Sequence, residues 1–253
     1  MQNHIPIIGD GAVGTRLLEL DPTIDLSAFD SRRFELLRRI HREYVDAGAD
    51  FLTADTIIAP PHLRPTLVGI ARDAADQATD RHINVFLSLN EKSMVPDNDI
   101  LSLVDGVIIE TVIHADNALR IATAISQQSP IDIYVSFAQI PPTKSSHKKG
   151  GCEAAGGVEQ KSFISRFDSI SSVRAIGINC VDISEIAESL NELHKFSRKP
   201  LFAQPSVGPD VSPDAFAHEM LLLHDEFNFV ITGGCCGTNH NHIAAIKSII
   251  HKK

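Results

Sequence analysis

One rhythm repeats eight times along this chain: a short β-rich run, then a segment with helical apolar spacing. The first four pairs are Ile5 to Ile8 with Arg32 to Ala47, Asp50 to Ile57 with Pro65 to Thr79, Ile83 to Leu89 with Asp97 to Leu103, and Gly106 to Glu110 with Ala115 to Gln127. The second four are Ile131 to Phe137 with Val158 to Phe167, Ala175 to Asn179 with Ile183 to Phe196, Pro200 to Ala203 with Pro213 to His224, and Phe229 to Ile231 with His240 to His251. Such alternation predicts parallel strands, because a strand running the same way as its predecessor needs a crossover, usually a helix. Eight units fit an α/β chain folded as a single (β/α)8 TIM-type barrel. A doubly wound open sheet is the alternative, since alternation alone does not separate a closed sheet from an open one. At 253 residues with no internal shift of composition, residues 1–253 are expected to form one domain.

A barrel of this kind collects its reactive groups at the C-terminal ends of its strands. The chemically suggestive residues fall there: Asp10 after the first run, Asp55 and Thr56 after the second, Glu110 and Thr111 after the fourth, Cys180 after the sixth, and Cys235 and Cys236 after the eighth. The adjacent pair lies in Gly233-Gly234-Cys235-Cys236-Gly237-Thr238. Neighbouring side chains on a regular strand face opposite ways, so both thiols converge only where the strand breaks, and the flanking glycines supply that break. Three converging thiolates suit zinc, and three protein ligands leave a fourth position for a substrate. Core packing of Cys180 and a vicinal Cys235–Cys236 disulfide are the competing readings.

Composition narrows the partners. The formal charge is −9, and no basic stripe with interleaved aromatics marks a nucleic-acid surface. No apolar stretch is long enough to span a bilayer, so no membrane partner is expected. The opening Met1-Gln2-Asn3-His4-Ile5-Pro6 lacks the basic start and apolar core of a secretory signal, which predicts a cytoplasmic location with the four cysteines reduced.

The combination of Asp10-Gly11-Ala12-Val13-Gly14-Thr15, Gly177-Ile178-Asn179-Cys180 and the Gly233 to Thr238 run resembles the zinc-dependent homocysteine S-methyltransferase family. That family includes betaine-homocysteine and S-methylmethionine-homocysteine methyltransferases and the homocysteine-binding module of cobalamin-dependent methionine synthase. The resemblance implies a (β/α)8 barrel, Zn²⁺ on Cys180, Cys235 and Cys236 as the metal ligands and catalytic centre, and methyl transfer to L-homocysteine. It further implies that Asp10 and Glu110 receive the substrate α-amino group; the backbone N–H groups of Gly11 and Ala12 are candidates for its carboxylate. The chemistry is consistent: a free thiol is mostly protonated at neutral pH and a poor nucleophile, whereas a metal-bound thiol is deprotonated.

Three departures from the family pattern concern the rim. The second strand ends in Thr53-Ala54-Asp55-Thr56 where a Glu-Thr-Asn-Thr type run is common, and a Gly-Pro segment with a long loop is missing after the third. After the seventh strand the chain reads Gln204-Pro205-Ser206-Val207-Gly208 in place of a Pro-Asn-Ser-Gly type run. These leave the methyl donor open between a small molecule and a corrinoid protein. Two other functions stay open: a homocysteine-binding module that needs a separate methyl-donor protein, and a non-catalytic zinc-thiolate protein. The Gly- and Lys-rich loop 141–157 is expected to be exposed, with Cys152 incidental. His240 and His242 read as helix-start or surface residues.

Overall fold

In a computed structural model, which describes residues 5–78, 80–138 and 157–250 (backbone only at 157–161), the alternating runs form one parallel sheet. Its strands are β1 (Ile7–Ile8), β2 (Phe51–Ala54), β3 (Asn84–Leu89), β4 (Gly106–Val112), β5 (Asp132–Phe137), β6 (Val173–Asp182), β7 (Leu201–Ser206) and β8 (Ile231–Thr232). The helices are α1 (Gly14–Leu20), α2 (Ser31–Asp46), α3 (Arg64–Ala75), α4 (Asn98–Leu101), α5 (Ala115–Gln128), α6 (Gly157–Arg166), α7 (Ile186–Phe196), α8 (Pro213–Phe227) and α9 (His240–Ile250). Loop 141–157, apart from its last residue, and Cys152 lie outside the described residues. Helix α1 is absent from the sequence reading, because its seven residues are too short to establish a helical period.

The strand order β1-β8-β7-β6-β5-β4-β3-β2, with the first strand beside the last, excludes the doubly wound alternative. The remaining seam, between β1 and β2, is drawn together by aspartates. Asp50 N–H donates to Ile8 O (2.6 Å), Ile8 N–H donates to Asp50 Oδ2 (2.9 Å), and Thr53 N–H donates to Asp10 Oδ2 (2.7 Å). The result is a nearly closed (β/α)8 barrel.

Strand alternation sorts the core into two layers. Leu52, Val85, Leu87, Val107, Ile109, Val135 and Ile176 belong to the large cluster that packs with the helices. Helix α2 shows why these segments are helical: Asp30 caps it by accepting Arg33 N–H, Leu37, Ile40 and Tyr44 bury one stripe, and Gly48 (φ 97°) ends it in the left-handed region. The other parity forms the barrel's inner cluster: Phe51, Phe86, Ile108, Ala175, Phe202 and Ile231, with Tyr134 beside them. Phe51 stacks on Phe86 at 4.5 Å and Phe86 on Tyr134 at 5.1 Å, while Tyr134 meets Phe202 edge-on at 6.3 Å. Gly177 lets β6 approach this layer, since a Cβ there would run into Phe202 O. The next inward positions toward the C-terminal ends are Thr53, Ser88, Glu110, Ser136 and Gln204, so a polar layer sits on an aromatic floor.

Candidate active site

The glycine-framed turn after β8 is held against the end of β7. Cys235 N–H donates to Pro205 O (2.8 Å), Val207 N–H donates to Cys236 O (2.9 Å), and the Thr238 hydroxyl donates to Cys235 O (2.6 Å). Gly237 adopts φ 81°, and a Cβ at that position would meet Val207 O. Cys180 reaches the same place from β6, with its own φ at 56°. The three sulfurs lie within 4.8 Å of one another, a group that could hold a metal ion. Cys180 Sγ and Cys236 Sγ are 3.9 Å apart, close to the ~3.8 Å expected between tetrahedral thiolates on zinc at ~2.3 Å.

Cys180 and Cys235 are brought within disulfide-forming reach of each other, and Cys236 stands beside them as a free, exposed thiol. The ends of β6 and β8 flank β7 and bring the two Cα atoms to 5.5 Å, inside the ordinary span of a disulfide. The vicinal Cys235–Cys236 pairing is not formed. Disulfide and metal-bound forms are alternatives for the same sulfurs, because metal ligation requires thiolates.

A cavity of about 240 Å³ joins these cysteines to Asp10, Glu110 and Asp55. Asp10 is buried, and its carboxylate accepts Thr53 N–H (2.7 Å) and the Thr53 hydroxyl (2.9 Å). Burial, with a smaller contribution from the Glu110 charge, raises its pKa to about 7 against the lowering effect of those bonds. Glu110 accepts the Ser88 hydroxyl and Asn179 Nδ2 (3.3 Å), and burial pushes its pKa up, with Asp55 adding to the effect. Asp55 is ion-paired with the buried Arg33, whose Nε is 2.8 Å away; burial nevertheless leaves its pKa raised. Arg33 thus neutralises Asp55, and neither Asp10 nor Glu110 has a cation of the chain paired with it among the described residues.

The first strand's loop is pinned by Tyr44, whose hydroxyl donates to Ala12 O (2.7 Å). Ala12 N–H donates to Thr238 Oγ1 (3.2 Å), whereas Gly11 N–H has no partner among the described residues. A Cβ on Gly11 would lie 2.8 Å from the Tyr44 hydroxyl oxygen and 2.9 Å from Thr238 Oγ1, so only glycine fits there.

Several residues of the site escaped the sequence reading. Thr53, Ser88 and Gln204 are polar residues on the inner parity of apolar strands, and that parity was the available signal. Asn179 accepts Thr111 N–H (2.9 Å) and donates to Thr111 Oγ1 (3.0 Å) and Glu110. Thr111 has φ 56°, an outlier for a β-branched residue that costs roughly 1–3 kcal/mol and marks the strand ends around the cavity. His240 Nδ1 lies 3.5 Å from Glu43, and His242 bonds Asn239, both away from the cysteines.

The mouth of this parallel barrel joins three cysteines that could hold a metal ion to the buried Asp10 carboxylate and the half-buried Glu110 carboxylate. The homocysteine S-methyltransferase family model matches residues 7–95 and 97–250, and the chain belongs to that family. It is 25% identical to the methionine synthases of Mycobacterium leprae and Mycobacterium tuberculosis over 96% of its own length and 24% of each of theirs. The chain therefore spans about a quarter of the length of the curated relatives it matches. The apo homocysteine methyltransferase MmuM from Escherichia coli shares its fold at a TM-score of 0.72 and 20% identity, covering 97% of this chain and 96% of that one. The oxidized and metallated forms of MmuM superpose at 0.76 and 0.69, each at 19% identity with the same coverage.

Proposed function

We propose that this chain transfers a methyl group to the thiol of L-homocysteine, giving methionine, with Zn²⁺ held by Cys180, Cys235 and Cys236. The observation that carries this reading is the shared cavity: three sulfurs within 4.8 Å of one another beside the buried Asp10 and half-buried Glu110 carboxylates, which pair with no cation among the described residues. Zinc in that position would keep the substrate thiol deprotonated and nucleophilic at neutral pH. Metal binding needs all three cysteines as thiolates, and a cytoplasmic setting keeps Cys180 and Cys235 reduced. Asp10 and Glu110 receive the α-ammonium, oriented by Thr53, Ser88 and Asn179. Gly11 N–H, without a partner among the described residues, can meet the carboxylate, whereas Ala12 N–H would have to leave Thr238 to join it. Raised carboxylate pKa values support a cationic ligand, because an ammonium would restore charge balance to groups now penalised by burial. In the transfer, a new S–CH₃ bond forms as the donor–CH₃ bond breaks, the donor keeps the bonding pair, and the thiol proton is released on binding. Below this chemistry the aromatic floor closes the cavity, so reactants enter from the C-terminal mouth.

The match to one quarter of two methionine synthases favours a second reading: residues 1–253 as a homocysteine-binding barrel that meets a separate methyl-donor or corrinoid protein. A non-catalytic zinc-thiolate protein would have no use for the carboxylates in the same cavity. Among the described residues no helix is long and apolar enough to cross a membrane. The test uses reduced, zinc-loaded protein: metal analysis, calorimetric titration with L-homocysteine, and methionine formation from S-methylmethionine, betaine and a methylated corrinoid protein. Zinc at one per chain, lost in the Cys235→Ala, Cys236→Ala double variant, together with turnover of one donor, is the expected result. Full zinc in that variant would overturn the metal assignment.

A further inference from the structure

Two amides sit in register on adjacent strands at the level of the cavity, Asn179 on β6 and Gln204 on β7. They differ in what they bond. Asn179 commits its oxygen to Thr111 N–H and both amide hydrogens to Thr111 Oγ1 and Glu110. Gln204 is only 6% exposed and lines the cavity, yet its side-chain amide makes no hydrogen bond among the described residues. Buried side-chain amides in folded proteins are ordinarily bonded, so an unpartnered one facing a cavity marks a place for a ligand's polar group. Gly233 leaves it room: a Cβ there would lie 3.3 Å from Gln204 Nε2.

Counting donors identifies that group. An amino acid entering this cavity finds acceptors for its ammonium in Asp10 and Glu110, and its carboxylate needs hydrogen-bond donors; the Thr53 and Ser88 hydroxyls already donate to those same two carboxylates. Among the described residues, three side chains lining the cavity carry N–H donors: Arg33, Asn179 and Gln204. Arg33 gives Nε and Nη2 to Asp55 and Nη1 to the carbonyls of Leu26 and Ala28, and Asn179 is committed as described. We infer that Gln204 donates its amide N–H to the substrate α-carboxylate, alongside Gly11 N–H, and so makes the site specific for an α-amino acid over a plain aminothiol. This assignment rests on the proposed homocysteine site.

The experiment compares two ligands on reduced, zinc-loaded protein by calorimetry: L-homocysteine and 3-aminopropane-1-thiol, which has the same thiol and amine without the carboxylate. The chain as it stands should prefer homocysteine by roughly tenfold to a hundredfold, the range of one charge-assisted hydrogen bond. Gln204→Leu should erase most of that preference while leaving zinc content and 3-aminopropane-1-thiol affinity unchanged. Should Gln204→Leu not fold, Gln204→Glu serves: a carboxylate there should weaken homocysteine and strengthen the aminothiol, an inversion that a packing role does not produce. Equal weakening of both ligands, or the full preference retained in the variants, overturns the Gln204 role and leaves the proposed substrate standing. If the unaltered protein binds neither thiol, the proposed substrate falls and this assignment with it.

Discussion

The floor and the mouth of the barrel are built on the same strands, two residues apart, and follow opposite rules. Phe51 gives way to Thr53 and then Asp55, Phe86 to Ser88, and Phe202 to Gln204. On the floor, rings stack at 4.5 and 5.1 Å and every group is suited to burial. At the mouth, the buried Asp10 and half-buried Glu110 carboxylates pair with no cation among the described residues, Thr111 and Cys180 take left-handed backbone, and Gln204 has no side-chain partner among the described residues. A chain tolerates such an arrangement only where packing elsewhere over-determines it. The contrast teaches that stability and ligand recognition are separated along each strand, so substitutions at the two levels should have opposite signatures.

Phe86→Ala tests the floor and should show the largest effect. Removing a ring stacked on both Phe51 and Tyr134 is expected to lower unfolding free energy by about 3–5 kcal/mol in urea denaturation. Homocysteine affinity of the folded fraction should hold. A small stability change together with lost ligand binding would mean that the two levels are not separate.

Glu110→Gln should produce the reverse at the mouth. It removes a charge whose burial is unfavourable, so metal-free stability should stay level or rise, while homocysteine binding falls by about 1.5–3 kcal/mol and zinc content is unchanged. Calorimetry and urea melts on one preparation measure both quantities, and undiminished binding would remove Glu110 from the site.

A third signature is a pH slope contributed by Asp10 at the mouth. Asp10 has a folded pKa of about 7 against a model-compound value of 3.8, so across that window the folded chain holds a proton that the unfolded chain has released. Fewer protons on the unfolded state means that stability falls as pH rises from about 4 to about 7, by at most ~1.4 kcal/mol per pH unit for this one group, and levels off above. Urea melts of metal-free protein across that range should lose this contribution in Asp10→Asn and retain it in Phe86→Ala. An identical slope in Asp10→Asn would assign the titration elsewhere.

Much of the fold was legible because it rests on local periodicity. The runs around Ile83 to Leu89 and Ala115 to Gln127 match β3 and α5 to within a residue, since apolar alternation and helical spacing are written in adjacent positions. The eighth run was placed at Phe229 to Ile231, whereas β8 is Ile231–Thr232, because a two-residue strand is set by its partners β1 and β7 and leaves almost no period of its own. At the site, the glycine-framed cysteines announced a turn. The pairing of Asp55 with Arg33, from the first turn of α2, had no signal in the residues around either one.

By itself, then, the sequence determined an eight-unit parallel architecture, which residues share a strand face, and the strand ends where thiols and carboxylates emerge. Those follow from the pleat and the helical turn, which act over a few residues. Only the tertiary structure decided closure at the β1–β2 seam, the meeting of Cys180 with Cys235, the bonding of Asn179 to Thr111 and Glu110, and the isolation of Gln204. Each depends on the register of strands that are distant in sequence. A period of two fixes the face a side chain takes; the side chain's neighbours are set when the whole barrel closes.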